Sequence, residues 1–215
     1  MSRIRLFHAP QTRSTGARVL VEELGADVEV VVLDMKAGEN RRPAFLAVNP
    51  LGKVPALLDG EALVTEQVAV FLFLAERFPE RGLAPAVGDP LRGPYLRWMA
   101  FYGSSFEPAC VDRAMKREPG TRAMSPYGDY DTVLKTVTDQ LARGPYLLGE
   151  RFTAADVLWG GALAWLTMFG IVERTPVVAA YVERVTARPA YRAVTASDAE
   201  IAAAQEAARA GSAPG

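Results

Sequence analysis

The sequence has almost no disulfide-forming or metal-binding side chains, with one cysteine and one histidine among its 215 residues. A single cysteine, Cys110, cannot form an internal disulfide, and together with His8 it cannot complete a Cys/His zinc site. The first residues also lack the uninterrupted apolar run of a secretory signal, because Arg3 and Arg5 fall within them. We therefore expect no metal and a reducing, cytoplasmic setting.

The sequence has no excess of one charge sign, because it contains 24 Lys and Arg and 25 Asp and Glu residues, a formal net charge of −1. Such a chain has no broad basic surface for phosphate backbones, so we expect no nucleic-acid partner. Long hydrophobic runs are missing too, because the longest uncharged run, residues 157–172, is shorter than the roughly 20 residues of a membrane span. We predict a buried helix there and no membrane partner.

Half of the residues are hydrophobic, enough for a sizeable core, and over residues 1–80 they alternate between strand and helix periodicity. Short apolar runs at residues 4–7 and 28–33 flank residues 17–24, where apolar side chains repeat at helical spacing. This pattern predicts a βαβ unit with parallel strands and a right-handed crossover.

A second helix and a hairpin follow this unit. Pro43 suits the first turn of the helix. Asp59 and Gly60 suit the two central positions of a type I′ turn, in a hairpin over residues 54–64. A strand pair joined by so short a turn is antiparallel.

A third helix is predicted after the hairpin. Thr65 can cap it, and its apolar pattern starts at Gln67 and ends near residue 78. Together with the preceding elements, it predicts an α/β domain with the element order βαβαββα.

The remainder of the chain has a different pattern. Residues 81–88 contain proline and glycine without periodicity, which is typical of a linker between domains. Strand patterns are nearly absent beyond that linker, and Thr153 with Asp156 has the spacing of a helix-capping box. We therefore predict one domain over residues 1–80 and a second, all-α domain over residues 89–215.

Four short motifs stand in order within these predicted elements. They are NPLGKVPAL at residues 49–57, TEQ at 65–67, LGERFTAAD at 148–156 and ARPAYRA at 187–193. Over residues 3–195, they and the order of elements resemble the soluble, cytosolic-type glutathione S-transferases of bacteria, in particular serine-type members similar to the theta, zeta and beta classes. The resemblance implies a thioredoxin-like N-terminal domain, an all-α C-terminal domain, and a homodimeric, cytoplasmic enzyme of detoxification.

The resemblance also implies the substrates. Glutathione is the expected co-substrate, with no other cofactor, and its thiolate is expected to attack a small apolar electrophile. Two alternatives stay open, a noncatalytic binding or regulatory module with the same fold and a glutathione-dependent isomerase. The isomerase is less favoured, because the doubled Ser-Cys signature of maleylacetoacetate isomerases is absent from residues 12–15.

In this family glutathione lies along a strand edge and a helix N-terminus. The resemblance implies that its cysteinyl unit pairs with the backbone of Val54, which is joined to Pro55 by a cis bond. It also implies that Lys53 forms an ion pair with the glycyl carboxylate. It also assigns Glu66 to the γ-glutamyl ammonium and Gln67, in place of the usual serine, to the carboxylate. Simpler interpretations are an edge proline at Pro55 and a Glu66 that only complements the helix dipole.

The thiol of glutathione needs a hydrogen-bond donor that lowers its pKa, because the thiolate is the nucleophile. Resemblance in the loop after the first strand assigns this catalytic role to Ser14, with Thr12 in reserve. Arg13 stands where many beta-like members have cysteine, which disfavours cysteine-based chemistry. Alternatively, Ser14 is only the N-cap of the first helix. His8 has no carboxylate partner visible in the sequence and is expected to be structural or solvated.

The second substrate is expected in an apolar pocket beside the aromatic helix that follows the linker. We expect Tyr102 and Phe106 to line this pocket and Trp98 to pack in the core. Cys110 has no cationic neighbour in the pattern and is expected to be inert.

A homodimer needs an apolar surface on each subunit. Phe71, Phe73 and Met99, on the third and fourth predicted helices, are the candidates for that surface.

Overall fold

The protein, as a computed structural model, is described over residues 3–118 and 120–211. It divides into two compact units. The first joins the chain up to Phe78 with the segment that begins at Pro189, and the second spans Pro79–Arg188. The boundary between Phe78 and Pro79 falls close to the predicted linker at residues 81–88. The last helix differs from the prediction, because it packs with the first unit instead of with the rest of residues 89–215.

Within the described residues, four strands form the sheet of the first unit. They are β1 (Ile4–His8), β2 (Val28–Val32), β3 (Ala56–Asp59) and β4 (Ala62–Val64). Their spatial order is β2-β1-β3-β4, with β1 and β2 parallel and the other two pairs antiparallel. The parallel pair confirms the predicted βαβ unit.

Three helices connect these strands or follow them. They are α1 (Ser14–Leu24), the short α2 (Pro43–Leu46) after a 3-10 turn, and α3 (Gln67–Arg77). The face of α1 predicted from helical spacing is buried, with Ala17, Leu20, Val21 and Leu24 all in the core. The observed order is therefore βαβαββα, as predicted.

The hairpin turn is displaced by one residue from its predicted position. Asp59 pairs with Ala62 and so belongs to the strand, which leaves Gly60 and Glu61 as the turn residues. Gly60 has a φ of 62°, whereas Glu61 is not among the described residues with positive φ. Glycine at the first central position is the pattern of a type II′ turn, so the predicted type I′ turn is wrong.

The second unit is helical in its described part. Its helices are α4 (Arg92–Phe101), α5 (Glu107–Ala114), α6 (Tyr130–Leu141), α7 (Ala154–Met168) and α8 (Pro176–Thr186). A π-helical turn over Tyr102–Phe106 joins α4 to α5, where the sequence predicts one regular helix. The uncharged run forms most of helix α7, which begins at the predicted capping box of Thr153 and Asp156. The predicted burial holds only for the first half of this helix, because Trp165, Met168 and Phe169 near its end are exposed.

The last helix, α9 (Pro189–Gly211), is one element of 23 residues and packs against α1. Its buried positions are Ala190, Val194 and Asp198. A carboxylate thus enters the core of the first unit from the far end of the chain. No helix in residues 3–118 and 120–211 is both long and apolar enough to cross a bilayer.

Candidate functional site

The loop between β1 and α1 carries the hydroxyl groups predicted to act on the thiol. Ser14 is fully buried, and its Oγ lies 2.8 Å from His8 Nδ1, 2.7 Å from Thr12 Oγ1 and 3.1 Å from the backbone N of Ala9. The N-cap residue of α1 is Arg13, and the helix has no side-chain cap, so the N-cap alternative for Ser14 is wrong. These partners enclose the Ser14 hydroxyl and leave it no surface for an external sulfur.

Thr12 is the more accessible of the two hydroxyl residues. It is half-buried between exposed Gln11 and exposed Arg13. Its Oγ1 lies 2.8 Å from the carbonyl O of Ala9, and the backbone N–H of Ser14 donates to it at 3.2 Å. Thr12 therefore stands between Ser14 and solvent, and its orientation is set by the loop.

His8, at the end of β1, has no exposed surface. The sequence shows no carboxylate partner for it, but the structure supplies one, because His8 Nε2 lies 3.0 Å from Asp198 Oδ1 on α9. Asp198 also accepts hydrogen bonds from Arg18 Nη1 and Thr15 Oγ1, both at 2.5 Å. A separation of 190 residues hides this pair from any local sequence pattern.

The surroundings of Asp198 decide its charge. Burial by itself raises the pKa of this carboxyl, but hydrogen bonds from His8 and Thr15 and the charge of Arg18 outweigh burial and lower the pKa below its ordinary value of 3.8. Asp198 is therefore a carboxylate, which can only accept hydrogen bonds, so His8 Nε2 carries a proton. We call the resulting series of side chains the polar chain; it consists of Asp198, His8, Ser14 and Thr12.

Helix α3 begins beside helix α1. Gln67 Nε2 donates to the carbonyl O of Arg13 at 3.1 Å, so the N-terminal ends of the two helices meet. Glu66 is exposed and is the N-cap residue, with φ 64° and ψ 122°, a backbone conformation that residues other than glycine rarely adopt. The predicted Thr65 cap is therefore wrong. Helix N-termini carry unpaired N–H groups and positive partial charge, so this junction attracts anions.

The segment before β3 lies beside the same loop. The Val54–Pro55 peptide bond is cis, as the resemblance implies. Val54 belongs to the apolar cluster that contains Ala9, whose backbone contacts both hydroxyl residues of the loop. No hydrogen bond within the described part of the chain engages the backbone of Val54. The site therefore has an unpaired backbone segment, with the exposed side chain of Lys53 next to it.

The residues predicted to line the second-substrate pocket are buried in the helical unit. Tyr102 is 4% exposed and Phe106 is fully buried, and their rings pack 5.4 and 4.6 Å from the ring of Trp159. Trp98 packs against the same ring, as expected. A pocket-lining role for Tyr102 and Phe106 stays a prediction. Burial raises the pKa of Cys110 to about 12, so its thiol is protonated at neutral pH and inert as expected.

The residues predicted to supply the dimer surface are mostly in the core. Phe71 and Met99 have no exposed surface, so that prediction is wrong for both of them, whereas Phe73 is half-buried. The helical pattern alone did not show which apolar face of each helix points inward. The homodimer itself stays a prediction.

Known proteins share this architecture. The sequence model for the glutathione S-transferase N-terminal domain matches residues 2–76, and the one for the C-terminal domain matches residues 127–184. Glutathione S-transferase GstA of Escherichia coli O157:H7 is 28% identical over 189 residues, which cover 86% of this chain and 94% of that protein.

Two solved structures extend the likeness to the three-dimensional fold. A glutathione transferase from Methylococcus capsulatus strain Bath is 31% identical with a TM-score of 0.77, covering 91% of this chain and 98% of that one. A sphingomonad glutathione S-transferase complexed with glutathione is 32% identical with a TM-score of 0.76 and the same coverage of 91% and 98%. The chain belongs to the glutathione S-transferase family.

Proposed function

We propose that this enzyme binds glutathione in the first unit, stabilises its thiolate at the N-terminus of α1, and directs it at an electrophilic carbon of a small apolar molecule. The observation that carries the proposal is the meeting of the α1 and α3 N-termini, together with the unpaired backbone of Val54, which belongs to the same apolar cluster as Ala9 of the loop before α1. Glutathione offers a matching set of groups, namely two carboxylates, an ammonium group, an extended peptide backbone and a thiol.

Each of these groups has a complement in the first unit. The cysteinyl backbone pairs with Val54 as an added strand, and the exposed ammonium of Lys53 forms an ion pair with the glycyl carboxylate. The γ-glutamyl carboxylate lies at the N-terminus of α3 with Gln67, and Glu66 binds the adjacent ammonium. The rare backbone conformation of Glu66 supports this assignment, because such conformations are concentrated at functional sites.

For the sulfur, we assign direct contact to Thr12 and a positioning role to Ser14. Burial supports this order, because Ser14 is enclosed while Thr12 is half-exposed and touches it at 2.7 Å. The assignment reverses the initial expectation, in which Ser14 contacts the thiol and Thr12 is held in reserve. Both residues still contribute, since Thr12 keeps its orientation through Ser14.

Turnover of a generic aryl halide at saturating glutathione tests the assignment. We expect Thr12→Val, which keeps the side-chain shape, to lower the rate roughly 10- to 150-fold, because one hydrogen bond to a charged acceptor is lost. Thr12→Ser restores the hydroxyl and should retain most of the rate, and Ser14→Ala should lose less than Thr12→Val. A normal rate in Thr12→Val together with an inactive, folded Ser14→Ala would return the direct role to Ser14.

Calorimetric titration with glutathione supplies the second measurement in this experiment. Glu66→Gln should weaken binding roughly tenfold, because a charge-assisted hydrogen bond becomes a neutral one. Glu61→Gln is the matched control, since Glu61 is exposed in the hairpin turn and should bind glutathione normally. A wild-type protein that neither binds glutathione nor turns over the aryl halide would contradict the proposed function.

A further inference from the structure

Thiol activation by a hydroxyl donor leaves one feature of the first unit unexplained, a buried imidazole behind that hydroxyl. His8 is fully enclosed and Asp198 is 3% exposed, so neither exchanges protons readily with bulk water. The links of the polar chain are short: 2.7 Å from Thr12 to Ser14, 2.8 Å from Ser14 to His8 and 3.0 Å from His8 to Asp198. Hydroxyl groups both donate and accept, so such a series can conduct a proton.

The carboxylate at the inner end favours one direction for each hydrogen bond of the polar chain. Both hydroxyl groups also have a second acceptor, the carbonyl O of Ala9, which lies 3.1 Å from Ser14 Oγ and 2.8 Å from Thr12 Oγ1. Because Asp198 can only accept, His8 Nε2 donates to it, and Nδ1 of the neutral ring accepts from the Ser14 hydroxyl. Ser14 Oγ can then accept from the Thr12 hydroxyl when that hydroxyl rotates away from the carbonyl O of Ala9, to which it donates in the structure. Thr12 Oγ1 also accepts from the backbone N–H of Ser14, which leaves it one lone pair that can accept from a thiol.

We propose that the polar chain receives the thiol proton of bound glutathione and delivers it to His8, which leaves a thiolate held by Thr12 and an imidazolium held by Asp198. The S–H bond breaks and its electron pair stays on sulfur. The proton bonds to Thr12 Oγ1, the Thr12 proton moves to Ser14 Oγ, and the Ser14 proton moves to His8 Nδ1. The inference rests on the proposed function and adds the destination of the proton.

The product state is as fully hydrogen-bonded as the starting state. After transfer, His8 Nδ1 donates to Ser14, Ser14 to Thr12, and Thr12 to the thiolate, so each link in that part of the polar chain has reversed. Hydrogen bonds to charged groups are stronger than neutral ones, which favours the reversed arrangement at its two charged ends. Thr12 thus becomes a donor to sulfur at the moment when the sulfur becomes negative.

The charges around His8 are compatible with this step. From α9, Asp198 stabilises an imidazolium, and from α1, Arg18 opposes it, although the Arg18 guanidinium is itself paired with Asp198 Oδ1. The sheet neighbour opposite His8 is Val32, which carries no charge. Because the proton stays inside the complex, formation of the thiolate does not change the net charge of the site.

The single histidine of the chain makes the proposal directly measurable. We would record the ring-nitrogen resonances of His8 in full-length, untagged protein at neutral pH, without ligand, with glutathione and with S-methylglutathione. We expect a neutral imidazole without ligand and with S-methylglutathione, which has no thiol proton. With glutathione, both ring nitrogens should shift to imidazolium values while the thiolate absorbance appears.

Other outcomes separate this inference from the proposed function. A thiolate absorbance with His8 still neutral would overturn the relay alone, and so would an imidazolium already present in the free protein. Failure of glutathione and S-methylglutathione to bind would overturn the proposed function and the relay with it. Binding of glutathione without any thiolate would overturn thiol activation by either route.

Proton release on binding provides an independent measurement. Calorimetry in two buffers of different ionisation enthalpy counts the protons released when glutathione binds. The wild type should release almost none for each thiolate formed, whereas His8→Asn, which can still hydrogen-bond Ser14 but cannot take up a proton, should release about one. Equal release by the two proteins would contradict transfer to His8.

Discussion

Each of the two units buries an aspartate, and the two carboxylates are held in opposite ways. Asp156, in the helical unit, accepts hydrogen bonds from Thr153, Leu147 and Tyr181 and has no cationic partner among the described residues. Burial raises the pKa of Asp156 in spite of these hydrogen bonds. Asp198, in the first unit, is joined to an imidazole and a guanidinium, and its pKa is lowered.

The difference follows from the groups that surround each carboxylate. All the donors to Asp156 are fixed groups that begin α7 or hold the chain next to it, so the carboxylate acts as a structural hub. The donors to Asp198 include the imidazole of His8, which leads through Ser14 to the loop where we propose that the thiol of glutathione binds. On the proposed relay, the second arrangement responds to glutathione, and the first does not.

The largest expected effect is on stability and belongs to Asp156. Asp156→Ala leaves several buried donors without an acceptor, including the Tyr181 hydroxyl and the backbone N–H groups of Leu147 and Thr153. We expect the free energy of unfolding, measured by urea denaturation, to fall by about 3 kcal/mol or more. Asp139→Ala, which removes an exposed carboxylate paired with Lys135, is the control and should change it little. A loss as small as that of the control would contradict the structural role.

The next effect is on chemistry and belongs to Asp198. Asp198→Asn keeps the shape but removes the charge that stabilises an imidazolium, so the fraction of bound glutathione present as thiolate should fall roughly tenfold. Thiolate absorbance of the complex and turnover at saturating glutathione measure this loss. The variant should lose less unfolding free energy than Asp156→Ala, because the amide still accepts hydrogen bonds. A folded variant with an undiminished thiolate would remove Asp198 from the activation of the thiol.

The smallest effect is on the pH dependence of stability, where the two aspartates should have opposite signs. The lowered pKa of Asp198 means that its contribution is complete above the ordinary value of 3.8 and is lost as the pH falls through the lowered value. The raised pKa of Asp156 means that stability declines as the pH rises from 3.8 toward the raised value. Unfolding free energies of the wild type, Asp156→Asn and Asp198→Asn from acid to neutral pH measure both terms. For each variant, we would plot the free energy of unfolding relative to wild type against pH. Slopes of the same sign for the two variants would contradict the opposite pKa shifts of Asp156 and Asp198.

Local rules predicted most of the fold and failed at particular positions. The α1 face was predictable because helical spacing alone decides which side chains share a side, and the α7 capping box because its groups are three residues apart. The turn at Gly60 and the cap at Glu66 were displaced by one residue, since strand pairing and the contact between α1 and α3 fixed the backbone there. The burial of Phe71 and Met99 required knowledge of what packs on each helix.

The sequence by itself determined the order of elements, the fold class, the family resemblance and the loop after β1 that contains Thr12 and Ser14. All of these depend on spacings within a few turns or on motifs read in order. Only the tertiary structure decided that Ser14 is enclosed, that Thr12 is the accessible hydroxyl, and that His8 has a carboxylate behind it. Asp198 reaches His8 because α9 packs on α1, and contacts between residues so far apart in the chain leave no mark in local periodicity.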